Sequence, residues 1–254
     1  LACCEYLIKI DSTDKEAEYY KKKIVNQLNG TTNFIKDDEY EDSDDKSEAI
    51  NINNKEYIFY VLRIISKKDI WKAYYIISRK KIDKNAVKDQ SLIRIDSGCV
   101  SGQIYDDASC DCLDQLQSAI HAIIMDGNDN DIIIHVPTHD GRGFGTAPKA
   151  ETEIYKRGGK GMINTTEPID TIKAAKLLYK VDDQSYDIRS YDGVGAILKL
   201  FKYKEVVLLT DNKLKVESIQ KYGINVTRRK TDTDKQQCKN HLLAKRSEVQ
   251  YYAE

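Results

Sequence analysis

From position 91 to position 222 the chain alternates short apolar runs with segments of helical spacing. That alternation limits the fold to a mixed α/β domain, because strands and helices in sequence pack as a sheet with helices around it. Ser91–Ile95, Ile132–Val136 and Val206–Thr210 read as strands. In Leu113–Met125 the residues Leu113, Leu116, Ile120, Ile123 and Ile124 recur at helical spacing, and Asp126-Gly127 closes the segment. Further helices are predicted over Pro148–Lys156, Asp170–Tyr179, Gly193–Phe201 and Leu214–Tyr222. Upstream, Tyr57–Ser66 and Trp71–Ser78 are rich in Ile, Val and Tyr and read as strands. No internal repeat is present.

The first 50 residues have a different character. A helix is predicted over Ala17–Leu28, stopped by Asn29-Gly30. The acidic run Asp37–Asp45 follows, and such charge density reads as a solvated loop or linker. The predicted organisation is therefore an N-terminal helix and acidic linker over 1–50 and a mixed α/β domain over 51–254.

Charge and hydropathy narrow the partners. Net charge is -1 with about a third of residues charged, so no field favours nucleic acid or an anionic membrane. The longest apolar runs, such as Val206-Val207-Leu208-Leu209, fall far short of the ~20 residues of a membrane helix. The start, Leu1-Ala2-Cys3-Cys4-Glu5, lacks a basic region followed by an apolar stretch, and it lacks an initiator Met. Six cysteines do not make a disulfide framework in a chain of this size. A cytoplasmic, reducing setting fits best.

Cys99, Cys110 and Cys112 are separated by ten residues and then one. Three thiolates make a good zinc site and leave the fourth tetrahedral position open, as in a catalytic centre. Bound zinc would bring the pKa of its water near neutrality. Three small core residues would fit the same spacing. His121 and His135 are possible fourth ligands, although His121 sits among Ala and Ile and reads better as a satisfied core histidine.

Two turns suit anions. Thr138–Gly145 lies between a strand and a helix, and Gly141, Gly143 and Gly145 let backbone approach a ligand. Arg142 adds a planar fork for a phosphate or a purine edge. Thr210-Asp211-Asn212-Lys213-Leu214-Lys215 also follows a strand and opens a helix, where N–H groups and lysine favour an anion. A plain tight turn and a simple N-cap are the alternatives for the two segments.

Together these segments resemble the GTP cyclohydrolase II family. The carriers are Arg94 through Gly102, then Ser109-Cys110-Asp111-Cys112 and Gln115-Leu116; Asp140–Gly145 with Lys149; Asp187-Ile188-Arg189 with Tyr191–Leu198; and Leu208–Asn212 through Lys215 with Tyr222-Gly223-Ile224. They occur in the family's order over roughly residues 90–229. The resemblance implies an α/β (mixed α+β) fold with a mixed sheet and surrounding helices. It implies zinc-dependent opening of the imidazole ring of GTP, with release of formate and pyrophosphate, as the first step of riboflavin synthesis. Carried over by position, Cys99, Cys110 and Cys112 would hold one Zn2+. Arg94, Ser97, Gln115, Asp140, Gly141, Arg142, Thr171, Thr210 and Lys215 would contact the nucleotide. Asp187 would accept a proton, and Arg189 would stand at the α-phosphate. Mg2+ is expected with the triphosphate, and a homodimer is expected.

The chain also departs from the family. Gly98 stands where the family usually has Glu, and Asp140 replaces a Glu. Glu153 aligns with a catalytic Tyr, and Tyr155, two residues along a helix, points to nearly the opposite side. A longer segment before Tyr186 leaves Thr165, Thr166 and Thr171 in competition for one role, with Thr171 matching its flanks best. Lys156-Arg157-Gly158-Gly159 resembles a divergent branch implicated in uracil catabolism. Opening the ring of another nucleotide, such as a uridine derivative, and a non-catalytic nucleotide-binding module are therefore the competing expectations.

Overall fold

The structure, a computed structural model, describes residues 48–52, 55–64, 72–125, 127–156, 158, 169–179, 186–231, 243 and 251–252. The helix expected over 17–28 and the acidic run 37–45 lie outside the described residues. The chain divides into two compact units, Leu1–Ser43 with Arg63–Lys72, and Asp44–Leu62 with Ala73–Glu254. Of the first unit, only strand ends fall among the described residues.

Seven strands form one sheet: β1 (Glu48–Ile52), β2 (Lys55–Ile64), β3 (Lys72–Ser78), β4 (Ser91–Asp96), β5 (Ile132–His135), β6 (Glu205–Leu209) and β7 (Asn225–Arg229). Their order across the sheet is β1-β2-β3-β5-β4-β6-β7. β4 runs parallel to both β5 and β6, and β6 runs parallel to β7. β3 is antiparallel to β5, and β1 to β2. The mixed sheet predicted from the sequence is thus present.

The central strands are near-continuous apolar runs because both of their faces are covered. Ile93, Ile95, Ile132, Ile133, Ile134, Val206 and Leu208 are all fully buried. β7 is different. It alternates exposed and half-buried residues at the sheet edge, and the sequence reading did not find it.

The helices are α1 (Val100–Gln103), α2 (Cys112–Ala119), α3 (Thr146–Lys156), α4 (Thr171–Tyr179), α5 (Asp192–Leu200) and α6 (Lys213–Gln220). The helix expected over Leu113–Met125 is α2 continued by a wider π turn, Ile120–Met125. His121 is exposed on this segment, so it is not the core histidine expected from its apolar neighbours. Ala119, Ile123 and Ile124 still pack with Ile133 and Leu209 in one core cluster. Among the described residues no helix is long and apolar enough to cross a membrane.

This topology decides where a ligand can sit. The carboxyl ends of β4, β5 and β6 lie side by side with β4 in the middle, and crevices at such ends are where α/β sheets bind ligands.

Candidate metal and nucleotide site

Each of those three strand ends delivers one motif. After β4 the chain turns sharply at Gly98, whose N–H donates to Asp96 Oδ2 at 3.1 Å. Gly98 is in the left-handed region (φ 63°), and a Cβ there would lie 2.8 Å from the Pro137 Cα. The family's Glu cannot be accommodated in this backbone. Cys99 follows at once and precedes α1, which leads to Cys110 and Cys112.

The three sulfurs all lie within 4.8 Å of one another, and Cys99 Sγ is 3.7 Å from Cys110 Sγ. Tetrahedral zinc with Zn–S bonds near 2.3 Å needs sulfurs about 3.8 Å apart, so the cluster fits that ion. Without metal the three share charge. Hydrogen bonds from Cys110 and Cys112 hold the Cys99 thiol far below its ordinary value. Cys110 gains from Cys112, but its bond to Cys99 and its burial push it up to about 11. Bonds to Cys110 and Cys99, with burial, push Cys112 well above the usual range. Loading the site therefore releases protons from Cys110 and Cys112. His135 lies outside the cluster of mutually close ligand atoms, which among the described residues is the three thiols, and its Nδ1 sits 2.6 Å from Asp96 Oδ2.

The turn after β5 is not a regular helix. Asp140 is extended, while Gly141 and Arg142 are both left-handed at φ 56° and 61°. Left-handed geometry at a non-glycine residue costs of order 1 kcal/mol and clusters at functional sites. Arg142 Nη1 is buried with no hydrogen-bond partner, a donor that a ligand would satisfy. Burial, then the Cys99 thiolate, raises the Asp140 carboxyl, against N–H bonds from Gly141 and Val100.

After β6, Thr210 is buried and its Oγ1 accepts the Asn212 N–H at 3.0 Å. Asn212 then caps α6 by accepting Leu214 N–H at 2.8 Å. One turn on, buried Lys215 donates from Nζ to the Ile95 carbonyl at 2.8 Å. Burial, then Arg94 and Arg189, hold its ammonium well below the ordinary lysine value.

Arg94 and Gln115 join the β4 end to α2. Arg94 donates to the Leu209 carbonyl at 3.2 Å and to Gln115 Oε1 at 2.7 Å. Its Nε is buried without a partner.

Asp187 and Arg189 lie in an irregular stretch before α5, and their side chains are only 4% and 11% exposed. Arg189 Nε donates to Asp187 Oδ1 at 2.8 Å, and Nη2 donates to Oδ2. This is a buried two-point pair, not a surface ion pair. Burial works to raise Asp187, and the guanidinium overcomes it, holding the carboxyl below the usual range.

One cavity collects these motifs. Arg94, Ser97, the three cysteines, Gln115, Asp140, Gly141, Arg142, Thr171, Arg189, Thr210 and Lys215 all line it. Of the residues expected from the sequence, only Asp187 stands behind the wall, against Arg189. Thr171 opens α4 and is buried there; Thr165 and Thr166 lie outside the described residues.

Neither Glu153 nor Tyr155 lines the cavity. Glu153 is clamped between Lys149 and, at 2.7 Å, Lys156, and Tyr155 is buried on α3. Several lining residues were not found from sequence, among them Lys149, Tyr179, Asn212, Tyr251 and Tyr252. Asn212 and Lys149 lie within quoted motifs and had a signal. Tyr179, Tyr251 and Tyr252 had none.

The family model "GTP cyclohydrolase II" matches residues 63–231. The GTP cyclohydrolase-2 of Archaeoglobus fulgidus is 34% identical over 137 residues, 54% of this chain and 32% of that protein. That of Psychromonas ingrahamii is 33% identical over 135 residues, 53% of this chain and 59% of its own length. The riboflavin biosynthesis protein RibBA of Endomicrobium trichonymphae is 30% identical over 208 residues, 82% of this chain and 44% of that protein. The matched regions thus span between about a third and three-fifths of these relatives.

Proposed function

The chain belongs to the GTP cyclohydrolase II family, and we propose that it hydrolyses GTP, opening the imidazole ring and releasing formate and pyrophosphate. One observation carries the reading: a three-thiol cluster and the cations Arg94, Arg142, Arg189 and Lys215 line a single cavity. A metal centre alone would need no such cations, and an anion site alone would need no thiols.

Zinc, when bound by Cys99, Cys110 and Cys112, supplies the Lewis acidity that makes water nucleophilic at neutral pH. The other residues bind and orient. Arg189, Arg94 and Lys215 hold the polyphosphate and offset the charge that develops as pyrophosphate departs. Asp187 fixes the plane of Arg189 and keeps it cationic, so its role is orientation more than proton removal. Asp140, Gly141, Arg142 and Thr171 face the nucleoside from the β5 side, while Thr210 lies with Lys215 on the β6 side. Ser97 and Gln115 complete the wall near β4. Mg2+ accompanies the triphosphate, the protein works as a homodimer in the reducing cytoplasm, and its product enters riboflavin synthesis.

The test is incubation of zinc-loaded protein with GTP and a panel of other nucleotides, uridine derivatives included, with formate and pyrophosphate assayed separately. Release of both from GTP, abolished in Cys110→Ser together with zinc, is the expected result. Ring opening of a uridine nucleotide in preference to GTP would overturn the substrate, and no reaction with any nucleotide would overturn the enzyme.

A further inference from the structure

Asp187 is not the only group on the Arg189 guanidinium. Tyr251, 62 positions further along the chain, places its hydroxyl 3.5 Å from Arg189 Nη2. The backbone brings it there. Tyr251 forms an antiparallel bridge with Asn212, and the Tyr252 N–H donates to the Asp211 carbonyl at 3.0 Å. The Tyr252 ring is flanked by the Arg228 guanidinium at 4.4 Å and the Lys213 ammonium at 5.6 Å. Arg228 in turn donates to Asp211 at 2.6 Å. The two tyrosines are thus fastened to the turn that carries Thr210 and leads to Lys215, and both line the cavity.

Donor arithmetic gives the phenol a task. A guanidinium has only donors, so Nη2 gives its hydrogen to the Tyr251 oxygen. The phenol's own hydrogen has no acceptor among the described residues, and it sits at the wall where Arg189 also meets the cavity. We propose that Tyr251 is a substrate-binding residue whose hydroxyl acts together with the Arg189 guanidinium on one anionic phosphate oxygen. The inference rests on reading this cavity as a nucleotide site. A hydroxyl adds a directional donor there without adding another cation beside Arg94, Arg189 and Lys215. It also ties the Arg189 segment to the Thr210–Lys215 segment, so that the two close on the same group.

The experiment is a double-mutant cycle of Tyr251→Phe and Arg189→Ala on the full zinc-loaded chain. Two readouts are taken: affinity for inorganic pyrophosphate by calorimetry, and turnover of GTP. Tyr251→Phe keeps the ring and removes only the hydroxyl. Pyrophosphate binding is expected to weaken about tenfold, roughly 1.4 kcal/mol. In the Arg189→Ala background the same change is expected to do less than about twofold more, because the two groups act as a unit. Unchanged affinity in Tyr251→Phe overturns the proposal. So does an undiminished loss in the Arg189→Ala background, which is what a packing defect would give. Wild-type protein that fails to bind pyrophosphate also overturns it. Tyrosine-dependent pyrophosphate binding without formate release from GTP supports the proposal while overturning the GTP reading.

Discussion

Gly102→Ala tests the metal centre through a contact that only the folded structure reveals. Gly102 is buried in α1, and its φ is not left-handed, so alanine suits the backbone there. On helical propensity alone the change should stabilise by up to roughly 1 kcal/mol. The side chain is another matter. A Cβ at this position would lie 2.7 Å from Cys110 Sγ, 3.1 Å from Cys112 Cβ and 3.3 Å from Cys110 Cβ. Ordinary nonbonded contact needs about 3.5–4.0 Å, so the Cys110 sulfur must retreat by about 1 Å. Metal–ligand distances tolerate only about 0.2 Å.

The substitution therefore moves one of three ligands by several times the tolerance and leaves its chemistry intact. Zinc affinity should fall by about ten- to a hundredfold, roughly 1.4–2.7 kcal/mol, the range seen when a ligand's support is disturbed. Competition against a chromophoric zinc chelator measures this directly. The same contacts crowd the metal-free core, so the unfolding midpoint of the metal-free variant should stay level or fall, and the rise on adding zinc should be smaller than in the wild type. A Gly102→Ala protein with wild-type zinc affinity would show that the Cys110 sulfur does not sit on the metal.

Other substitutions probe the surrounding charges. Glu153→Gln strands Lys149 and Lys156, which flank it in a buried triad. The Cys99 thiolate still faces Lys149, so the cost falls at the low end for a broken buried pair, about 3 kcal/mol or roughly 6–12 °C in Tm; a change under about 1 °C on thermal unfolding would contradict the clamp. Asp187 has a folded pKa held down by Arg189, so its contribution is present above the ordinary carboxylate value and is lost as pH falls through the folded one. The stability gap between wild type and Asp187→Asn, measured by denaturant titration, should therefore be full near pH 7 and close below about pH 4. Lys215 is held low by burial and by Arg94 and Arg189, so an arriving polyanion raises it. Pyrophosphate binding should take up more protons in the wild type than in Lys215→Met, read as the difference in buffer-dependent calorimetric heat.

The sequence reading succeeded where a residue's neighbours in the chain are also its reasons. The buried runs Ile132–His135 and Glu205–Leu209 announce central strands, and the motif around Cys99, Cys110 and Cys112 announces three thiols that meet in space. It failed where the reason lies elsewhere in space. The edge strand Asn225–Arg229 carries Asn, Thr and two Arg because water covers much of it, so no apolar signal marks it. His121 was expected in the core from its neighbours Ile120 and Ala122, but adjacent residues on a helix do not share a face, and it lies exposed. Tyr251 carries no local mark at all, since only the bridge to Asn212 brings it to Arg189.

Arg94 shows how close legibility and illegibility lie. It sits between Ile93 and Ile95 in a strand buried on both faces, so alternation cannot say which way it points. The register does. Arg94 pairs with Leu209 across the parallel β4–β6 ladder, and Asp96 pairs with His135 across β4–β5. Arg94 then reaches the Leu209 carbonyl and Gln115, and Asp96 reaches His135. A slip of one residue in β4 would turn Arg94 to the opposite face and Ile95 toward the cavity. It would remove a cation from the cavity and carry Cys99 away from Cys110 in the same step. The thiol cluster and the cations of the cavity are therefore set by one strand register, and a single hydrogen-bonded ladder aligns thiols with cations that are scattered over more than a hundred residues of chain.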